Sequence, residues 1–226
     1  MIEIAEKVKL SPAGSRGKVI NQQNKTQASY TFYKWCFIIA GPVMRFFRPF
    51  EVLGKENRIE GAALICSNHS AMIDPFQIAL AFGIDTNIHV IAKKSIFKIP
   101  LISTILWKLG MISVDRSIND ISSVKASLAY LKNGEKVVIF PEGTRMSEYD
   151  AHAAKNGAVK MAERAGVPIL PVFITRKKPF FKKTKVVFGE PYFIKKTKEK
   201  RSHENYIRLS EELMNKIQTL DPDGVR

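Results

Sequence analysis

Two cysteines in 226 residues, Cys36 and Cys66, are too few for a disulfide framework, and their scarcity points to a reducing, cytoplasmic face. Long apolar runs are missing as well. In the most aromatic segment the charge-free core runs only from Trp35 to Met44, ten residues where a membrane-crossing helix needs about 20. No secretory signal peptide is expected, because a polar arm precedes this stretch and no small-residue cleavage site follows it. Acidic residues are few, 21 against 36 Lys and Arg, and none cluster with metal-ligand spacing, so no metal is expected. No internal repeat and no nucleic-acid-binding motif is present, which argues against a basic nucleic-acid-binding module in spite of a net charge of +15.

What is present suits one catalytic domain of sizeable core, with 45% hydrophobic residues and no interior linker. Apolar, β-branched runs predict strands near 61–67, 87–92, 111–115, 136–140, 168–174 and 184–188. Helical spacing is found over 75–82, 101–109, 119–132, 151–165 and 203–219, the fourth opening at Asp150 and closing at Gly166. Strands alternating with helices predict an α/β layered fold with a largely parallel sheet flanked by helices. This domain is assigned to residues 51–226.

Two segments precede it. Residues 1–29 are polar and poor in aromatics, and read as a disordered arm. Residues 30–50 hold 8 of the 22 aromatic residues and read as two short membrane-interfacial helices broken at Gly41-Pro42. Residues 175–201 hold 11 basic and 2 acidic residues around Phe180-Phe181, an expected electrostatic landing patch for anionic lipid.

Chemistry concentrates at two strand ends. His69 lies five residues before Asp74 in Ser67-Asn68-His69-Ser70-Ala71-Met72-Ile73-Asp74-Pro75, after the buried run Ala62–Cys66. A histidine whose second ring nitrogen is held by a carboxylate can accept a proton from a hydroxyl at neutral pH. The same residues taken alone also describe a turn followed by a helix, with Asp74 as N-cap and Pro75 in the first helical position. Further on, Lys136–Phe140 ends in Pro141-Glu142-Gly143-Thr144-Arg145, where Gly143 allows close backbone approach and Arg145 offers a fork for two phosphate oxygens.

Taken together, Asn68-His69 with Asp74, Gly110 through Val114-Asp115-Arg116, Phe140 through Arg145, and Val167-Pro168-Ile169-Leu170-Pro171-Val172 resemble the 1-acyl-sn-glycerol-3-phosphate acyltransferases over about residues 50–195. Two departures, Ser113 where that family carries an aromatic and Met146 where a serine is common, bear on substrate choice more than on the reaction. The resemblance implies acyl transfer from a thioester to the free hydroxyl of a lysophospholipid at a cytoplasmic membrane face, with His69 as general base and Asp74 orienting it. It implies no cofactor, the donor substrate being either acyl-coenzyme A or acyl carrier protein. The acceptor is 1-acylglycerol 3-phosphate, or alternatively glycerol 3-phosphate or another lysolipid.

Within that resemblance Arg145, Arg116, Lys93 and Lys94 are the expected phosphate-binding cations, since each follows a predicted strand. Asn68, Glu142, Gly143 and Thr144 are expected to bind or orient substrate, with Glu142 either contacting the glycerol or locking Arg145. Ile99 through Ile112 is a candidate lining for an acyl tunnel.

Overall fold

The computed structural model describes residues 14–118, 120–195 and 201–224. Seven strands form one sheet in the order β1-β7-β6-β2-β5-β3-β4, comprising β1 Phe50–Leu53, β2 Ala63–Ser67, β3 Ile88–Lys93, β4 Ile112–Val114, β5 Lys136–Ile139, β6 Ile169–Ile174 and β7 Thr184–Phe188. Every pairing is parallel except β6 with β7. All six expected strands form, and the sheet is largely parallel, as the alternation of strands and helices implied. The seventh, β1, lies at the edge. Its four residues, Phe50-Glu51-Val52-Leu53, are too few to stand out from the aromatic segment before them.

The central strands are apolar on both faces because both faces are covered. On one side Leu64, Cys66, Val137, Ile169 and Phe173 pack beneath α4 Ile121–Lys132, α5 Gly157–Ala165 and α6 His203–Gln218. On the other, Ile65, Val90, Val138, Leu170 and Val172 meet Ile78, Ala81 and Phe82 of α2 Asp74–Phe82. The alternation of Leu64 and Ile65 between the two cores is the two-residue period of a strand.

Two expected helices differ from their readings. The helix expected from Asp150 is a 3-10 turn over Ala151–Ala153, capped by Asp150, and α5 begins only at Gly157. Lys155 explains the interruption, since its backbone N–H is drawn to the Pro141 carbonyl at 2.9 Å and leaves the helical path. The close at Gly166 is as expected, with φ of 67°. In the N-terminal region, two short helices and a disordered arm give way to one helix, α1 Gly14–Phe47, which takes in residues 14–29; residues 1–13 lie outside the described residues.

Gly41-Pro42 does not break α1 because the two residues serve different faces. Gly41 is buried and lets the helix approach α2, where a β-carbon would stand 3.2 Å from Leu80 Cδ2, while the Pro42 ring points outward. The lost backbone bond is offset by docking: Tyr33 is buried and Lys34 pairs with Asp85 at 3.0 Å. No helix among the described residues is long and apolar enough to cross a membrane.

Beside α1 lies α3 Pro100–Lys108, of which only Leu106 is buried. Leu101, Ile102, Ile105 and Trp107 are exposed, together with Ile99 before the helix. Ile99, Leu101, Ile102, Ile105 and Trp107 therefore face outward, whereas Leu106 and Ile112 of the same stretch are buried.

Candidate active site

The site lies beyond the carboxyl ends of β2 and β5, the central pair of the sheet, where an open α/β fold leaves a crevice. The loop after β2 carries His69 and the loop after β5 carries Glu142 through Arg145. A third segment, after the neighbouring β6, brings in Arg176 and Lys178.

His69 is held on three sides. Its Nδ1 lies 2.9 Å from Asp74 Oδ2, its ring stacks on Phe140 at 4.1 Å between centroids, and its backbone N–H donates to Glu142 Oε2 at 2.8 Å. Asp74 is fully buried, and Oδ2 also accepts from the backbone N–H groups of Ser70 at 2.7 Å and Ala71 at 2.8 Å. Burial by itself would raise the Asp74 pKa. The hydrogen bond from His69, the charge of Lys178 and the Ala71 amide outweigh it and hold the carboxyl below its ordinary range. An ionised Asp74 keeps the His69 proton on Nδ1, so Nε2 carries a lone pair able to take a proton from a hydroxyl.

Asp74 is not the helix cap that the sequence suggested. It is the first residue of α2, following Ile73 at the cap position, and its side chain folds back over the preceding turn. Five residues separate it from His69 because the turn must reverse within that length to set two amides and one imidazole around a single oxygen.

Glu142 also departs from expectation. It is buried, with Oε2 taken by His69 and Oε1 by Arg176 Nη2 at 3.0 Å, so it locks Arg176 and not Arg145, and both oxygens are already engaged by the protein. Burial pushes its pKa up, against the His69 amide and the Arg176 charge that favour the anion. Asn68 is buried too. Its Oδ1 accepts from Ile174 N–H and its Nδ2 donates to Ile174 O, both at 2.8 Å, which extends the pairing of β2 with β6 by one side chain. It orients the loop by that tie.

Gly143 has φ of 72°, and a β-carbon there would stand 2.9 Å from Lys155 Cε, so the turn needs glycine. Its carbonyl accepts from Arg116 Nη1, which joins the turn after β4 to this loop. Thr144 and Arg145 are exposed, and Met146 N–H next along the chain donates to His69 O at 2.7 Å. Arg145 thus sits one residue from a direct tie to His69 with its guanidinium outward. Lys94 pairs with Asp115 at 3.3 Å, and Lys93 is exposed at the end of β3. Among the described residues no group of three or more His, Cys, Asp or Glu is arranged to hold a metal ion.

Sequence reasoning missed Arg176 and Lys178. Lys178 Nζ lies 2.8 Å from Asp74 Oδ1 as an ion pair and donates to Ser70 Oγ at 2.6 Å, while Arg176 Nη1 donates to Met146 O at 3.2 Å. Both belong to the stretch read as a landing patch. Of its 11 basic residues, Arg176, Lys178, Lys183, Lys185 and Arg201 have acidic partners, so fewer charges are free than the count implied, and residues 196–200 lie outside the described residues. Part of the signal was available: Arg176 lies two residues and Lys178 four residues beyond the strand expected over 168–174, near the position that selected Lys93 and Lys94.

Residues 49–175 match the family model described as Acyltransferase. The 1-acyl-sn-glycerol-3-phosphate acyltransferase of Bacillus subtilis is 33% identical over 196 residues, 84% of this chain and 96% of that protein. The enzyme of the same name from Borreliella burgdorferi is 33% identical over 141 residues, 61% of this chain and 55% of its own length. The crystal structure of the 1-acyl-sn-glycerophosphate (LPA) acyltransferase, PlsC, from Thermotoga maritima shares the fold, with a TM-score of 0.61 at 23% identity over 91% of this chain and 83% of that one. A family model that matches more than half of the chain and near full-length similarity to a bacterial relative agree with the shared fold, and the chain belongs to the acyltransferase family.

Proposed function

We propose that this protein transfers a fatty acyl group from an acyl thioester to the free sn-2 hydroxyl of 1-acylglycerol 3-phosphate, giving phosphatidate. The observation that carries the proposal is the His69 ring, held at Nδ1 by a buried, ionised Asp74, with Nε2 left as proton acceptor. The near full-length similarity to the Bacillus subtilis enzyme of that name supports the choice of substrate.

In the proposed reaction His69 Nε2 takes the proton of the acceptor hydroxyl as its oxygen attacks the thioester carbonyl. The tetrahedral adduct collapses, the carbon–sulfur bond breaks, and the imidazolium returns the proton to the departing thiolate. Each turnover forms one ester and releases one thiol, with no covalent acyl-enzyme and no cofactor. General base assistance of this kind is worth about 10²–10⁴-fold. The donor is acyl-coenzyme A or acyl carrier protein.

Arg145, exposed and without a partner among the described residues, is the first choice to receive the acceptor phosphate, with Arg116, Lys93 and Lys94 in support. The enzyme docks on the membrane as a peripheral or monotopic protein at its cytoplasmic face. The docking surface joins Trp35, Ile39 and Phe46 of α1, the outward side of α3, and Phe180-Phe181, all exposed. These elements are contiguous, since Phe181 packs on Phe46 and Phe47, Arg48 lies over the Phe180 ring at 3.9 Å, and Lys108 of α3 lies over the Phe32 ring of α1 at 5.2 Å.

The test is mass-spectrometric detection of phosphatidate from purified protein, lysophosphatidate in mixed micelles and either donor, with His69→Ala in parallel. Product from the wild type alone supports the reaction and its base. Turnover of glycerol 3-phosphate or another lysolipid in place of lysophosphatidate would move the acceptor, and silence with every acceptor would overturn the proposal.

A further inference from the structure

The carboxylate of Asp74 has two differently employed oxygens. Oδ2 serves His69 and two backbone amides, whereas Oδ1 faces Lys178, whose side chain is 2% exposed. The ammonium is held in place, since Ser70 Oγ accepts from Nζ at 2.6 Å and itself donates to Arg176 O at 2.9 Å. Burying a lysine so deeply is costly, and an apolar side chain of similar length would fill the same space without that cost. The buried cation therefore needs a reason beyond packing.

We propose that Lys178 is a positioning residue that acts through Asp74, its ammonium offsetting the carboxylate and so setting how tightly His69 holds a proton. The proposal rests on His69 acting as the base. Facing a bare buried carboxylate, an imidazole gains proton affinity and spends more of its time as imidazolium at neutral pH, where it cannot accept the substrate proton. Pairing the carboxylate with an ammonium takes away part of that gain. The other ionisable groups around the cluster do not supply this balance. Glu142 and Arg176 pair with each other at 3.0 Å, and Arg48, just beyond α1, acts on Lys178 only at longer range and with the same sign. Burial also pushes the Lys178 ammonium below its ordinary range, with the charge of Asp74 and its hydrogen bond opposing the shift.

The experiment is the pH dependence of kcat/KM for phosphatidate formation by the full-length chain between about pH 5 and 9, comparing wild type, Lys178→Met, Lys178→Arg and His69→Ala. In Lys178→Met the acid limb is expected to move to higher pH by on the order of one unit, so that activity near pH 6 falls about tenfold further than activity near pH 8.5. Lys178→Arg is expected to keep the wild-type limb. A Lys178→Met profile lowered equally at every pH, or an arginine variant that behaves like methionine, would show a merely structural lysine and overturn the proposal. If Lys178→Met does not fold, Ser70→Ala decides: loosening the ammonium should move the limb in the same direction by a smaller amount, and an unmoved limb counts against the idea. Activity surviving in His69→Ala would instead remove the base on which the proposal depends, which separates the two failures.

Discussion

Replacing Asp74 by asparagine keeps the side chain's shape and removes one charge from a pair in which the carboxylate is 0% and the lysine 2% exposed. The single amide oxygen can satisfy either the three donors gathered at Oδ2 or Lys178, and the NH₂ group then points at the other. Neutralising one partner of a buried pair costs about 3–5 kcal/mol, a large part of the roughly 5–15 kcal/mol that holds a domain together. With a urea slope near 3 kcal/mol/M the unfolding midpoint should fall by about 1–1.7 M. Adding Lys178→Met removes the stranded ammonium and should recover most of that loss, while acyl transfer stays depressed by at least about 10²-fold in both variants. The stability difference should also depend on pH. Asp74 has a folded-state pKa below its ordinary 3.8, so its contribution is complete above that value and disappears as the pH falls through the lower folded-state value. Urea titrations of the three proteins, by circular dichroism at neutral pH and near pH 3, measure all of this. A midpoint drop under about 0.3 M for Asp74→Asn, or a double variant no more stable than the single one, would refute the claim that this pair is charged and buried together.

His69→Ala should lower turnover by about 10²–10⁴-fold or more, and retention of even a tenth of wild-type turnover would exclude His69 as the base. Arg145→Ala should raise the acceptor KM at least about tenfold and leave stability unchanged, because its side chain is exposed; equal activity on acceptors with and without phosphate would sink the assignment. Asn68→Leu should cost about 1–3 kcal/mol per stranded backbone group at Ile174, read as a lowered melting temperature, and a neutral result would mean that water replaces the amide. Phe46→Glu combined with Phe181→Glu should weaken sedimentation with anionic vesicles by at least about tenfold and leave micellar activity intact. Unchanged sedimentation would move the membrane contact elsewhere.

The sheet was legible because its central strands are buried on both faces, and continuous runs such as Ala62–Cys66 and Lys136–Phe140 have no other stable use in a chain of this composition. The His69–Asp74 contact was suggested by their spacing in a turn after a strand, where α/β folds present side chains, although the same spacing also fitted a simple turn with a helix cap. β1 was hidden by its length, and the single α1 by Gly41-Pro42, a pair that reads as a break until Leu80 is known to press against Gly41. The parts that only the tertiary structure decided are long-range. Asp74 meets Lys178 across more than a hundred residues, Glu142 chooses Arg176 over its near neighbour Arg145, and Asn68 bridges to Ile174, all because β6 lies beside β2. Local periodicity reports which residues face a core, whereas the choice of partner for a buried charge depends on which strands are neighbours, and that is settled by packing the whole sheet.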